Sequence, residues 1–290
     1  FLILALILGV LGAAVAWYES RRYGTPFNLG YACLATIGLL IAHAAVNIFN
    51  DYFDARSGLD DKTRRTPFSG GSGAMPDGLL TPREGLRLGI ACFVLLIPIA
   101  AFFVWKSGWM LLPLLAVSML LIVLYTPFIL KMGYPEWSPG LGLGILPVMG
   151  ACFVHTGAYT PTAFIASMPS FFLVHNLLLL NEFPDVEADV TVNRRTLPIV
   201  IGKRRAAYVF SWVTLLVYVW VVWAVACRHM PVYALLSLLT LPIAVQVIRG
   251  AFRYDAWDVF VKAMKRNVLL VLSTQALIAA GYLLGGIFPG

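Results

Sequence analysis

The chain has 290 residues, of which 60% are apolar and 12% charged, and its net charge is +7. Soluble domains carry about 25% charged residues because their surfaces must be solvated. This composition therefore excludes a soluble enzyme, a disordered protein and a nucleic-acid binder. It leaves a polytopic membrane protein, whose basic loops beside the bilayer account for the positive charge.

A spanning helix needs about 20 mostly apolar residues. That ruler places nine spans in chain order, at 1–17, 29–49, 86–105, 109–130, 139–157, 161–183, 206–227, 231–248 and 267–287. The chain begins at Phe1, inside an apolar run and without Met, so native residues are expected before it. Ala14-Val15-Ala16 resembles a signal-peptide cleavage site, but no basic segment precedes it and eight spans follow. Backbone polar groups cannot go unpaired in lipid, so the spans are read as helices, with Pro98, Pro113, Pro147, Pro169 and Pro242 as kink sites. The expected fold is all-α: one membrane-embedded domain over 1–290, nine transmembrane helices in a single bundle, and cap loops at 54–85 and 184–205. Cys33, Cys92, Cys152 and Cys227 lie apart in apolar runs, and the four histidines form no metal-binding pair.

Seventeen of the twenty-one Lys and Arg residues fall after even-numbered spans. The positive-inside rule then puts those loops and the N-terminus in the cytoplasm, in the plasma membrane of a cell. Thirteen of the fourteen acids share that side, Glu19 being the exception. Acids contribute little to topology, so their clustering asks for a chemical reason.

Span two ends in Asn47-Ile-Phe-Asn50-Asp51-Tyr-Phe-Asp54, and span six in Asn181-Glu182-Phe-Pro184-Asp185-Val-Glu187-Ala-Asp189. Aligning Asn50 with Asn181 and Asp54 with Asp185 gives Asn-x-x-x-Asp twice; Asp189 extends the second, where the first has Gly58. Residues four apart share a helix face, and two carboxylates so placed repel unless a cation sits between them. Mg²⁺ favours carboxylates plus substrate phosphate oxygens, and amide oxygens can join as neutral donors. Pro184 interrupts the helix, so the shared face is secure only for Asp185 and Asp189. Arg64-Arg65-Thr66-Pro67 follows the first motif and Arg194-Arg195-Thr196-Leu197-Pro198 the second. Acids for metal and guanidinium groups for phosphate oxygens suit a metal-bound polyphosphate. A lone acid or base at a helix end is equally a solvated or topogenic residue, and it is the doubling that points to chemistry. Gly70-Gly71-Ser72-Gly73 lacks the Lys-Ser/Thr ending of a P-loop and reads as a flexible part of the 54–85 cap, a loop too long for a plain connector.

These motifs, with Tyr125-Thr126-Pro127 and Lys131 before Gly133-Tyr134-Pro135-Glu136, resemble the UbiA-type superfamily of intramembrane prenyltransferases. Asn47 to Asp60 is most similar to its 1,4-dihydroxy-2-naphthoate polyprenyltransferase branch. The resemblance implies Mg²⁺-dependent transfer of an isoprenyl group from a prenyl diphosphate to an aromatic acceptor, at a site on the cytoplasmic face. It implies two Mg²⁺ ions on Asn50, Asp51, Asp54, Asn181, Asp185 and Asp189, and a diphosphate held by Arg64, Arg65, Lys131, Arg194 and Arg195. Asp54, Asp185, Lys131 and Tyr125 are the catalytic candidates. Phe49, Tyr52, Phe53 and Tyr125 could face an allylic cation with their rings. The partners implied are the two substrates and membrane lipid, with neither nucleic acid nor an obligate protein. Dihydroxynaphthoate, leading to menaquinone, is the preferred acceptor; 4-hydroxybenzoate, geranylgeranylglyceryl phosphate, haem and chlorophyllide are alternatives. A cation-coupled transporter is the rival of another class, but it would carry midplane acids and inverted repeats. Here the acids stand at span ends, and spans two and six have the same orientation.

Overall fold

The structure, a computed structural model, describes residues 2–59, 62–66 and 68–288. Asp60, Asp61 and Pro67 of the motif regions lie outside the described residues. Those described form helices and turns with no strand among them. The helices are α1 Leu2–Tyr23, α2 Leu29–Ser57, α3 Pro82–Ser107, α4 Leu112–Leu124, α5 Trp137–Gly140, α6 Leu146–Thr156, α7 Pro161–Asn181, α8 Val186–Val190, α9 Leu197–Ile201, α10 Lys203–Ala226, α11 Leu241–Ala251 and α12 Trp257–Ile287. A π-helical stretch, Leu141–Ile145, fuses α5 to α6, and a 3-10 stretch, Val232–Thr240, leads into α11.

Eight of the resulting rods are long and apolar enough to cross a membrane. The ninth expected span, 109–130, is shorter. A 3-10 turn at Trp109–Leu111 runs into α4, and the helix ends at Leu124. Sixteen residues rise about 24 Å, against a hydrocarbon core of about 30 Å. Elsewhere the polar ends extend the helices beyond the apolar windows. α2 continues through Ser57, and α12 begins at Trp257, before its apolar run. Pro98 and Pro169 lie inside α3 and α7, but Pro113, Pro147 and Pro242 sit in the first turn of an α-helix that follows 3-10 or π geometry. There the missing N–H costs least.

Local chemistry sets the helix ends. Asn28 accepts from the Tyr31 amide at 3.1 Å to cap α2, and Gly58, at φ 68°, closes it in the left-handed region. Thr81 and Glu84 form a reciprocal capping box on α3, and Thr160 caps α7 through the Ala163 amide at 3.2 Å. Packing closes the bundle end to end. α1 lies against α12, α6 and α2, while α7 lies against α10 and α12. Asn176 donates to the Phe210 carbonyl at 2.7 Å and the Thr214 hydroxyl at 2.8 Å, which ties α7 to α10. By contrast α2 and α3 are little buried by their neighbours. One flank of each is left for lipid and the other for a cavity.

Candidate active site

That cavity has a volume of about 960 Å³. Its long wall is apolar and comes from α2, α3, α4, α6 and α7, including Leu39, Val46, Phe93, Leu115 and Leu178. One end is polar, formed by Asn50, Asp51, Asp54, Asn181, Glu182, Asp185, Asp189 and Arg194, with Tyr125 beside them. Residues 68–72 of the α2–α3 connection also line it.

On α2, one helical turn brings Asn50 and Asp54 into contact. The Asn50 amide donates to Asp54 Oδ2 at 3.0 Å, and Asn50 Oδ1 accepts from the Thr126 hydroxyl at 3.0 Å. Asp51 is met by the glycine-rich loop, where the Ser72 hydroxyl donates to Oδ2 and the Ser72 amide donates to Oδ1 at 3.3 Å. Gly73 follows, beneath the Arg65–Asp77 pair. Its φ is 79°, and a Cβ there would lie 2.6 Å from Arg65 Nη1.

The second motif is built differently. α7 stops at Asn181, Glu182 to Pro184 make a turn, and Asp185 starts α8. Asn181 and Asp185 are thus not one turn apart on a helix, whereas the Asp189 amide donates to the Asp185 carbonyl at 2.8 Å and keeps those two on one face. Asn193 then takes a left-handed conformation, φ 60°, which asparagine tolerates. The chain folds back so that the Arg194 amide donates to the Asp189 carbonyl at 3.1 Å. The Arg194 side chain forms a bridge: Nη1 pairs with Asp189 Oδ1 at 3.0 Å and Nη2 with Asp54 Oδ1. One guanidinium therefore joins the two motifs.

Electrostatics distinguish the carboxylates. Burial, reinforced by Asp189 and only partly offset by Arg194, pushes Asp185 up to about 7. Burial also raises Asp189, against the pull of Arg194. For Arg194 itself burial is unfavourable, but Asp54 and Asp189 outweigh it and the pKa rises. Among the described residues, no donor reaches the buried Asn181 Oδ1, Asp185 Oδ1 or either Glu182 oxygen. Among the described residues no three His, Cys, Asp or Glu side chains converge tightly enough to hold an ion by themselves. The donor set still fits a divalent cation. It is all oxygen, it is short of positive charge, and Mg²⁺ is held by one or two carboxylates completed by phosphate oxygens rather than by a protein cage.

Not every residue singled out in the sequence reaches this chamber. Asn50, Asp51, Asp54, Asn181, Asp185, Asp189, Arg194 and Tyr125 line it; Arg64, Arg65, Lys131 and Arg195 do not. Arg64 lies 3.7 Å above the Trp257 ring, and Arg65 pairs with Asp77 at 2.8 Å. The Arg195 amide donates to the Leu130 carbonyl at 2.8 Å, which places Arg195 and Lys131 side by side at the rim. Phe49 packs on Phe93, and Tyr52 on Phe53 beneath Arg56, outside the lining. Three polar contributors were not visible in the sequence pattern. Ser72 holds Asp51, Glu182 lines the chamber, and the fully buried Glu136 accepts from the Leu197 amide at 2.6 Å and anchors the start of α9. Glu182 lies inside the second acidic motif and Glu136 ends the Gly133-Tyr134-Pro135-Glu136 run, so each stood in a stretch already singled out; Ser72 had no such signal.

Residues 5–269 match the family model described as the UbiA prenyltransferase family. The chain belongs to this family. It is an integral membrane prenyltransferase. It is 27% identical over 76% of its length to the 1,4-dihydroxy-2-naphthoate octaprenyltransferase of Bacillus subtilis, covering 71% of that protein. It is 25% identical over 94% of its length to the 2-carboxy-1,4-naphthoquinone phytyltransferase of Synechocystis, covering 86% of it. A digeranylgeranylglyceryl phosphate synthase of Thermococcus kodakarensis is 27% identical over 86% of the chain and 82% of that enzyme. In fold it matches a UbiA homologue of Aeropyrum pernix with a TM-score of 0.75 at 18% identity, over 98% of this chain and 97% of that one. It also matches an Archaeoglobus fulgidus homologue, solved with GPP and Mg²⁺, with a TM-score of 0.57 at 14% identity, over 96% and 99%.

Proposed function

We propose that this prenyltransferase joins an isoprenyl chain to 1,4-dihydroxy-2-naphthoate, with loss of the carboxylate as carbon dioxide, in menaquinone biosynthesis. The observation that carries the reading is the polar end of the 960 Å³ cavity opening onto a long apolar wall. A diphosphate head fits the first and an isoprenoid tail the second. The naphthoate acceptors named for the Bacillus and Synechocystis relatives support the acceptor. The archaeal synthase at similar identity makes geranylgeranylglyceryl phosphate the alternative to test.

Asp51, Asp54, Asp185 and Asp189, helped by Asn50 and Asn181, would hold two Mg²⁺ ions. When bound, the ions neutralise the diphosphate and make it a better leaving group. Arg194 moves within reach of the same phosphate oxygens, with Lys131 and Arg195 at the rim and Arg64 and Arg65 supplying positive field. The allylic carbon–oxygen bond breaks, diphosphate leaves, and an electron-rich ring carbon of the acceptor attacks the cation. Carbon dioxide departs from that ring carbon and restores aromaticity. The apolar wall keeps water from the cation, and Tyr125 stands at its polar mouth. Nine spans in the plasma membrane, with the site and the loops around Ser72 and Arg194 facing the cytoplasm, complete the reading.

Purified protein, Mg²⁺ and labelled geranylgeranyl diphosphate, offered dihydroxynaphthoate and geranylgeranylglyceryl phosphate at equal concentration, tests the acceptor. Prenylated naphthol is expected, and exclusive prenylation of the glycerol phosphate would overturn the assignment. Excess EDTA should stop turnover; full activity in its presence would remove the metal from the reading. A cysteine at Ser72 should resist impermeant reagents applied outside intact cells.

A further inference from the structure

The other end of the bundle holds a second cavity, of about 370 Å³, lined by residues that include Tyr18, Glu19, Tyr23, Thr25, Thr160 and Arg228. α1 and α10 end there and α7 begins there, whereas α2 and α7 end at the carboxylate chamber. The two cavities therefore open toward opposite membrane faces.

Glu19 is only 2% exposed. Its Oε2 accepts from the Cys152 thiol at 3.4 Å, and among the described residues no Lys, Arg or His lies within ion-pair distance of it. A buried carboxylate with no cation is costly. Cationic side chains are close by but turned elsewhere. Arg22 donates to the Tyr18 hydroxyl at 2.9 Å and stacks on Tyr18 and Tyr23. Arg228 shares the cavity with Glu19 yet does not pair with it. Glu19 and Arg228 thus line one cavity as an acid and a base that do not pair with each other. Thr25 Oγ1, on the same lining, is buried and has no hydrogen-bond partner among the described residues.

We propose that this cavity binds the headgroup of a zwitterionic phospholipid of the phosphoethanolamine type, its ammonium on Glu19 and its phosphate on Arg228. A primary ammonium brings three N–H donors for Glu19 and Thr25, which a trimethylammonium lacks. The volume is at the small end for a ligand site and suits a headgroup alone. A lipid is the source because the cavity lies at a membrane-interface belt. Arg21 packs over Trp17 near the end of α1, and Trp223 near the end of α10 contacts His229, which lines the cavity.

The test is retention of lipid by purified protein, read by native mass spectrometry after exposure to mixed micelles of dioleoyl phosphatidylethanolamine, phosphatidylcholine and phosphatidylglycerol. Phosphatidylethanolamine should be retained about tenfold over phosphatidylcholine, as one charge-assisted hydrogen bond provides. Glu19→Gln should abolish that preference, and Arg228→Gln should weaken retention of all three lipids. Should Glu19→Gln fail to fold, Thr25→Val replaces it and should narrow the preference severalfold. Equal retention of the three lipids by the unaltered protein would overturn the proposal, as would an undiminished preference in Glu19→Gln. Free phosphoethanolamine binding as tightly as the lipid would overturn the choice of a lipid.

Discussion

The two acidic helix ends reach one cavity by different backbone routes. In α2 the helix runs unbroken through Asp54, so Asn50 and Asp54 stand one turn apart and bond to each other. In the second motif Pro184 withholds an amide and the chain turns, so Asp185 stands just before a new helix, and among the described residues no donor reaches Asn181 Oδ1 or Asp185 Oδ1. Arg194 pins Asp54 of the first and Asp189 of the second, and Ser72 holds Asp51, whereas among the described residues no donor reaches those two oxygens of the second. A repeat in sequence is therefore not a repeat in electrostatics. In the first half both acids already accept hydrogen bonds, and in the second Asn181 and Asp185 present oxygens to a cation.

The largest effects should come from neutralising the aligned acids. Asp54→Asn and Asp185→Asn are each expected to lower turnover on the order of 10²–10³-fold, because each removes charge opposite a developing diphosphate. Their stabilities should part company. Asp54→Asn breaks a buried pair and leaves Arg194 under-compensated, so its melting temperature should fall. Asp185→Asn replaces an under-paired buried acid by a neutral amide, so its melting temperature should hold or rise. Melting shifts of the same sign and size in both variants would erase the asymmetry.

Next in size is Arg194. Its two terminal nitrogens reach different carboxylates, a geometry a lysine ammonium cannot copy. Arg194→Lys should lose on the order of 10-fold or more in kcat/KM for the prenyl diphosphate, although the charge is kept. If Arg194→Lys matched the unaltered enzyme, Arg194 would matter only as a charge, and the bridge between the motifs would carry no weight.

The pH dependence sharpens the same contrast. Asp185 is raised from 3.8 to about 7 by burial and by Asp189. A carboxyl raised on folding favours the folded state fully below its unfolded pKa, and that contribution is lost as pH climbs from about 3.8 to 7. Metal needs the ionised form, so protons compete with it. The Mg²⁺ concentration for half-maximal turnover should rise as pH falls below about 7, by up to tenfold per unit for one proton. A Mg²⁺ requirement that stayed flat from about pH 5 to about pH 8, above the range in which ordinary carboxyl groups titrate, would place the binding carboxylates elsewhere.

Most of the rods were legible because hydropathy over about 20 residues is a local property. Their ends were not, since α2 carries its acids on helical turns beyond the apolar window and α4 falls short of its expected length. The acids and amides of the chamber were legible through the repeated spacing. The arginines were not separable on that basis. Arg194 and Arg195 are neighbours in one motif, and only the left-handed Asn193 and the tie from Arg195 to Leu130 send one inward and leave the other at the rim. Arg64 and Arg65 likewise meet Trp257 and Asp77, contacts that no pattern in the loop announces.

The smallest expected effect tests how the first motif is held. Ser72 belongs to a stretch whose glycines gave no chemical signature, yet its hydroxyl and amide both donate to Asp51. Ser72→Ala removes the hydroxyl and keeps the 3.3 Å amide bond, so the loop retains one tie and its fold. A partly exposed hydrogen bond of this kind contributes about 1 kcal/mol, roughly a fivefold change. The loss should appear as a rise in the KM for prenyl diphosphate, with kcat nearly unchanged, because Asp51 is oriented rather than deleted. Since no described residue of this loop hydrogen-bonds a side chain of the second motif, Asp185→Asn should be no more damaging in the Ser72→Ala background than alone. Strong coupling between the two changes would mean that the loop orders both motifs together, and the division between a pinned half and an open half would fail.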